Sequence, residues 1–305
     1  MKFTIYQESR VGKRAVNQDR IAYCYSRDAL LMVVADGMGG HLHGELAAHI
    51  AVQYITEAFK QEARPSLEDP FLFLSSALNY AHHAIVDFAA DRELPEAPRT
   101  TCVACIAQKN MAYWAHAGDS RLYLFRGDQL LTQTHDHSRV QIMLDQGLID
   151  AAGAAVHPAR NRVYSCLGGS QAPQIDFSRK TPLKPRDIIA LCTDGLWAPL
   201  GNEAMREVLA GNNPMLSVPR LLDQAEARAG DNGDNLSLVA MQWDESYAEN
   251  TPSNVQTRTM PLHAFTTRMG EVDRDHSSPE LSEADIEKAI DEIRSAIRKF
   301  SDESH

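Results

Sequence analysis

Leu30-Leu31-Met32-Val33-Val34-Ala35-Asp36-Gly37 runs six apolar residues into an acid and a glycine. A continuous apolar run of that length, rich in β-formers, predicts a buried strand that ends on a tight acidic turn. Ile188-Ile189-Ala190-Leu191-Cys192-Thr193 does the same and stops at Asp194-Gly195. Residues 111–117 and 122–125 read as two strands that meet at Gly118-Asp119-Ser120-Arg121. Asp234-Asn235 opens a further strand over residues 236–241. In four places, then, a buried strand begins or ends on an aspartate.

Helices lie between these strands. Over residues 45–59, Leu46, Ala47, Ile50, Tyr54, Ile55 and Ala58 recur at helical spacing. Asp69-Pro70 predicts a cap and a first-turn proline for a helix reaching about Ala90. Ser138 heads a candidate helix through Val140, Met143 and Leu144, and Asn202 and Ser217 head two more. The class is therefore mixed. After Trp243 the composition turns to Ser, Thr, Asn and Pro with little periodicity, which reads as a linker over 244–280. Residues 281–305 follow as an amphipathic C-terminal helix, with Ile286, Ile290, Ile293, Ile297 and Phe300 on one apolar stripe. That stripe can dock back on the domain formed by 1–243, meet a partner protein, or self-associate.

Of the 305 residues, 44% are hydrophobic, enough to bury a sizeable core. A net charge of −11 argues against nucleic-acid binding. The N-terminal residues lack a charged head before an apolar core, and residues 29–35 fall far short of the ~20 needed for a membrane span. The expectation is a cytoplasmic chain without a membrane span. The five cysteines suggest no disulfide framework. Cys102 and Cys105 lie three apart on an expected strand and so point to opposite faces, which reads as two buried cysteines rather than a metal pair.

The acids carry the chemistry. Asp36, Asp119, Asp194 and Asp234 each neighbour a glycine: Gly37, Gly118, Gly195 and Gly233. One Asp-Gly is as readily a plain turn. Four, each joined to a buried strand, read as a site. Carboxylates brought together repel and take up protons unless cations balance them. Hard oxygen donors suit Mg²⁺ or Mn²⁺. Such a metal pair can lower the pKa of water and clamp an in-line displacement at phosphorus. A phosphate also needs a cation, and Arg14 in Arg14-Ala15-Val16-Asn17-Gln18-Asp19 is the candidate, because a guanidinium can take two oxygens at once. Taken alone, Arg14 reads as a solvated surface arginine.

In order along the chain stand Arg14-x-x-Asn17-Gln18-Asp19, Val34-Ala35-Asp36-Gly37-Met38-Gly39-Gly40-His41 with Gly44-Glu45, Thr100-Thr101, Gly118-Asp119-Ser120-Arg121-x-Tyr123, Leu131-Thr132 with Asp136-His137-Ser138, His157-Pro158-x-Arg160-Asn161, Cys192-Thr193-Asp194-Gly195-Leu196-Trp197 and Asp234-Asn235. From about Lys2 to Trp243 the chain resembles the metal-dependent PPM, or type 2C, protein serine/threonine phosphatases in their compact bacterial form. The resemblance implies an α+β fold, an αββα four-layer sandwich of two antiparallel sheets flanked by helices. It implies that Asp36 bridges two Mn²⁺ or Mg²⁺ ions, with the Gly37 carbonyl on the second. Asp194 and Asp234 would hold the first, and Asp119 with Asp194 a weaker third. Arg14 would grip the phosphate, and a metal-bridging hydroxide would attack phosphorus directly. Phosphoprotein substrates and an opposing Ser/Thr kinase are the implied partners.

Three positions depart from the family's pattern. Gln18 stands where glutamate is frequent beside the second metal. Arg99 stands where glycine often precedes Thr100-Thr101. Met38 stands where eukaryotic relatives carry an acid-donating histidine, leaving His41, His43 or water for that role. A pseudophosphatase, or a regulator that binds phosphoproteins with little turnover, is the alternative; Asp36, Asp194 and Asp234 argue against it. His82 and His83 are expected on a helix surface, and His137 and His157 in structural hydrogen bonds. Residues 138–157 are expected to form a flap with a small, flexible tip at 151–155.

Overall fold

Successive residues of a strand face opposite ways, so a run apolar at every position must be covered on both sides. Leu30, Met32 and Val34 pack into one buried cluster and Leu31, Val33 and Ala35 into another. The structure, a computed structural model, describes residues 1–38, 43–244 and 266–269. The amphipathic segment at 281–305 and His41 lie outside the described residues.

The chain opens with three strands, β1 (Phe3–Arg10), β2 (Asp19–Tyr25) and β3 (Ala29–Asp36), followed by two long helices, α1 (Gly44–Glu62) and α2 (Pro70–Asp91). Next come β4 (Arg99–Thr100), β5 (Cys102–Gln108), β6 (Met111–Ala117), β7 (Arg121–Arg126) and β8 (Gln129–Gln133). Short helices α3 (Arg139–Asp145) and α4 (Ala151–Ala155) precede the two-residue strands β9 (Leu167–Gly168), β10 (Asp176–Phe177) and β11 (Thr181–Pro182). Then come β12 (Ile188–Cys192), α5 (Asp194–Leu209), α6 (Pro214–Ala229) and β13 (Leu236–Trp243). A last strand, β14, spans Thr266–Met269.

One sheet has the order β1-β13-β12-β7-β8, and the other β10-β6-β5-β3-β2-β14 with β11 also on β6. β4 and β9 form a separate ribbon. Every pairing is antiparallel. Apolar clusters fill three layers: α1 and α2 against the second sheet, α5 and α6 against the first, and the space between the sheets. This is the expected αββα sandwich. Leu31 is fully buried under α1 and α2, and its truncation to alanine is expected to cost ~2–5 kcal/mol. Cys102 sits in the helix-side cluster and Cys105 between the sheets, on opposite faces of β5.

The helix starts follow their caps. Asp69 Oδ1 accepts from Phe71 N and Leu72 N, and Ser138 Oγ accepts from Gln141 N. One expected start holds and one moves. α5 begins at Asp194 and is broken at the non-helical Gly201 (φ 70°), so its second segment starts at Asn202 as expected; Asn213, not Ser217, caps α6, with Pro214 at its first turn. The flap tip at 151–155 is a helical turn, α4, because Asp150 Oδ1 caps Gly153 N. Four residues of the stretch read as linker, Thr266–Met269, pair with Tyr25–Ala22 as β14. Adding to a sheet edge uses backbone groups alone, so it requires no apolar alternation. No helix among the described residues is long and apolar enough to cross a membrane.

Candidate active site

β2 begins where β3 ends, and their register sets Asp19 directly opposite Asp36. The chain beyond Asp36 is pinned by the threonine pair. Asp36 N donates to Thr101 Oγ1 (3.1 Å), while Thr101 N and Thr100 Oγ1 both donate to Asp36 O (2.9 Å each). The next residue has no room for a side chain: a Cβ on Gly37 would lie 2.3 Å from Gly44 O. The same holds at the end of β12, where a Cβ on Gly195 would lie 2.0 Å from Asn235 O. These glycines allow the Asp36, Asp194 and Asp234 turns to approach backbone to backbone.

Asn235 ties down the loop that carries Arg14. Its Nδ2 donates to Val11 O (2.8 Å) and Val16 O (3.1 Å), and its Oδ1 accepts from Gln18 N (2.9 Å). Arg14 then reaches back to Asp234 through two parallel hydrogen bonds, Nε to Oδ1 at 2.8 Å and Nη2 to Oδ2 at 2.7 Å. Gln18 Nε2 donates to Glu45 Oε2 (3.2 Å). Asp119 follows β6, and its carbonyl accepts from Trp197 Nε1 (2.9 Å). The Trp197 ring lies 3.4 Å below the Arg121 guanidinium, which makes a bidentate pair with buried Asp136 (2.8 Å each).

Asp36, Asp119, Asp194 and Asp234 thus line one cavity of ≈ 1150 Å³ with Arg14, Gln18 and Gly37. His43 is not among the lining residues. It precedes α1 with φ 68°, and its Nδ1 stands 3.9 Å from Glu45 Oε1. Burial, then repulsion from Asp19, Asp194 and the other acids, drives Asp36 well above the usual carboxylate range. Burial and then Asp194 do the same to Asp119. Asp194 is pushed up to about 6 by burial and Asp234, against a hydrogen bond with Asp36. The residue that sequence reasoning left without a role is Asp19. It is 2% exposed, accepts from Thr193 Oγ1 (2.9 Å), and is pushed up to about 7 by burial despite its hydroxyl partners. As an acid at the head of the strand after Arg14, it carried the same signal as the other four.

This crowding is a test of whether divalent cations fit. Acids that raise one another's pKa are what a dication relieves, and the donors are hard oxygens. A second group, His116, His137 and Asp176, also brings ligand atoms within 4.8 Å. Two of its ring nitrogens already face other protein groups. His137 Nδ1 accepts from Gly118 N (3.3 Å), and its Nε2 stands 3.2 Å from Asp176 Oδ2; His116 Nε2 lies 2.8 Å from His135 O. It is a hydrogen-bonded stack. His157 Nδ1 accepts from Ala159 N within its own turn. His82, expected on the surface, is 5% exposed, and its Nδ1 accepts from Gly168 N (3.0 Å) because β9 packs on α2.

A carboxylate cluster on strand ends between two packed sheets, with an arginine at its mouth, suits divalent metal and phosphate. The family model described as protein phosphatase 2C matches residues 6–226, and the chain belongs to that family, as a serine/threonine protein phosphatase. The serine/threonine phosphatase stp of Listeria innocua is 29% identical over 214 residues, covering 70% of this chain and 84% of that one. The crystal structure of the Mycobacterium tuberculosis serine/threonine phosphatase PstP/Ppp superposes with a TM-score of 0.69 at 30% identity, over 80% of this chain and 99% of the other. The PstP catalytic domain in complex with two manganese ions superposes with a TM-score of 0.65 at 28% identity, over 80% of this chain and 100% of the other.

Proposed function

We propose that the protein hydrolyses phosphoserine and phosphothreonine in other proteins at the Asp36 cluster, with two Mn²⁺ or Mg²⁺ ions and a weaker third. Asp36, the Gly37 carbonyl, Asp194 and Asp234 would hold the pair, and Asp119 with Asp194 the third. Divalent ions bound there supply water of lowered pKa and positive charge for the phosphoryl oxygens. The single observation that carries this reading is the gathering of four strand-end aspartates and Arg14 on one cavity. Arg14 binds the incoming phosphate with its planar fork. Gln18 orients Glu45 through its amide. Thr100 and Thr101 hold the Asp36 backbone still.

Direct hydrolysis without a phosphoenzyme fits the side chains present. Burial pushes the Cys166 thiol up, so no thiolate lines the cavity there. The Thr101 hydroxyl is engaged by Asp36 N and by Ser120 Oγ (2.6 Å). Hydrolysis of a phosphothreonine peptide should vanish with EDTA and return with Mn²⁺; full activity after thorough chelation would overturn the reading.

The protein acts in the cytoplasm against a Ser/Thr kinase. Its catalytic domain ends at Trp243, and the segment at 281–305 binds a partner or a second copy. A chain truncated after Tyr247 should keep a near-normal rate on a small phosphate ester and change its oligomeric state or its rate on phosphoprotein. Loss of small-ester hydrolysis would move the boundary beyond β14.

A further inference from the structure

The chain carries 41 Asp and Glu against 30 Lys and Arg, and several arginines are taken up by acids. Arg10 pairs with Glu8, Asp223 and Glu226, Arg121 with Asp136, Arg126 with Asp187 and Arg206 with Glu203. Four arginines line the cavity of the Asp36 cluster; Arg14 pairs with Asp234, whereas Arg99, Arg139 and Arg162 make no ion pair with an acid among the described residues.

Their placement is built rather than loose. Arg139 N donates to Arg162 O (2.9 Å), and Ser138 bridges Val163, so the two arginines leave adjacent segments at the base of the flap. Arg99 pairs in register with Gly168 on the β4–β9 ribbon, and His82 anchors that ribbon from below. The Arg99 stem lies along the backbone of Gly169, where a Cβ would come 2.9 Å from its Nε. That Nε is shielded from water and has no hydrogen-bond partner. The Arg99 carbonyl accepts from Met38 N (3.0 Å), two residues past Asp36, so the arginine stands beside the reacting site. Tyr164 and Ile142, 45% and 41% exposed, add apolar wall to the same cleft.

A shielded guanidinium nitrogen with no acceptor is costly unless a ligand supplies one. We propose that Arg99, Arg139 and Arg162 form a second anion subsite, which takes an acidic group on a residue flanking the phosphoserine or phosphothreonine. The group is a carboxylate or a second phosphate, since both match the guanidinium fork. The inference rests on the phosphatase reading and deepens it by naming the substrate class. It also gives a role to Arg99, the position where the family's frequent glycine is absent.

Three phosphothreonine peptides test it: one with neutral flanks, one with flanking glutamates, and one with a second phosphothreonine nearby. With Mn²⁺, kcat/KM should favour either anionic peptide over the neutral one by about three- to tenfold, falling with salt. The preference should shrink toward unity in Arg99→Gln and in the double variant Arg139→Gln/Arg162→Gln, whose residues are exposed and tolerate exchange. Which anionic peptide leads assigns carboxylate or phosphate. Equal rates on all three peptides in the unaltered protein, or a preference untouched in both variants, would overturn the subsite. No hydrolysis of any peptide would instead overturn the phosphatase reading itself.

Discussion

Arg14 and Asp234 are bound to each other through two parallel hydrogen bonds of 2.8 and 2.7 Å. The guanidinium proposed for phosphate and a carboxylate proposed for metal are therefore mutual partners. Both are open to water, with 56% and 33% of their side chains exposed, so the pair is worth at most about 1 kcal/mol and yields readily. Metal held by Asp234 would free Arg14 for phosphate, and phosphate on Arg14 would free Asp234 for metal. Arg14→Lys keeps the charge but loses the fork. Calorimetric titration should show Mn²⁺ binding a few-fold more tightly to both Arg14→Lys and Arg14→Ala. Tightening in the alanine variant alone would mean that charge repulsion, not the pair, opposes the metal. Both variants should raise KM for phosphopeptide.

Asp36 is the acid most crowded by other acids, facing Asp19, Asp194, Asp119 and Asp234. Asp36→Asn removes that repulsion together with the proposed bridging ligand. Activity should fall at least ~10²-fold. In EDTA the same variant should melt about 2–4 °C higher than the parent chain, and added Mn²⁺ should raise its melting temperature less. A variant that melts lower in EDTA would show that Asp36 has a structural partner stronger than its repulsion.

Trp197 ties the Asp119 turn to a buried ion pair. Its Nε1 holds Asp119 O, and Arg121 lies between its ring and Asp136. Arg121 and Asp136 are 13% and 6% exposed, so Asp136→Ala leaves a buried guanidinium without an acid. The expected loss is about 3–5 kcal/mol, read as a shift of the denaturant midpoint at constant slope. The double change Arg121→Met/Asp136→Leu should lose clearly less. An equal loss in both would locate the effect in packing.

The acids and their turns were legible because each sits where a continuous apolar run stops, a signal local to a few residues. The two-faced burial of Leu30 to Ala35 and the opposite faces of Cys102 and Cys105 follow from strand geometry alone. What escaped depends on contacts far apart in sequence. Asp19 becomes an acid of the site only through its register with Asp36, and Arg14 meets Asp234 across 220 residues. His82 looks like a surface residue on its helix until β9 arrives to use its ring. The β14 strand uses main-chain groups that composition does not report.

Gln18 is held in place by its backbone, which makes it a clean position to alter. Its N–H donates to Asn235 Oδ1 (2.9 Å), and its carbonyl accepts from Gly37 N (3.2 Å). Only its amide is adaptable, and that amide donates to Glu45 Oε2 at 3.2 Å. In Gln18→Glu the donor becomes an acceptor, and two carboxylates face each other beside Asp36. Without metal the variant should be less stable than the parent, because the new charge meets like charge. With metal the sign reverses, since a further oxygen donor of full charge joins the site. The Mn²⁺ concentration for half-maximal rate should fall by a few-fold, and the gain in melting temperature on adding Mn²⁺ should grow. A titration curve that does not move, with stability lost in EDTA, would place Gln18 outside the metal's reach and leave it as the residue that orients Glu45.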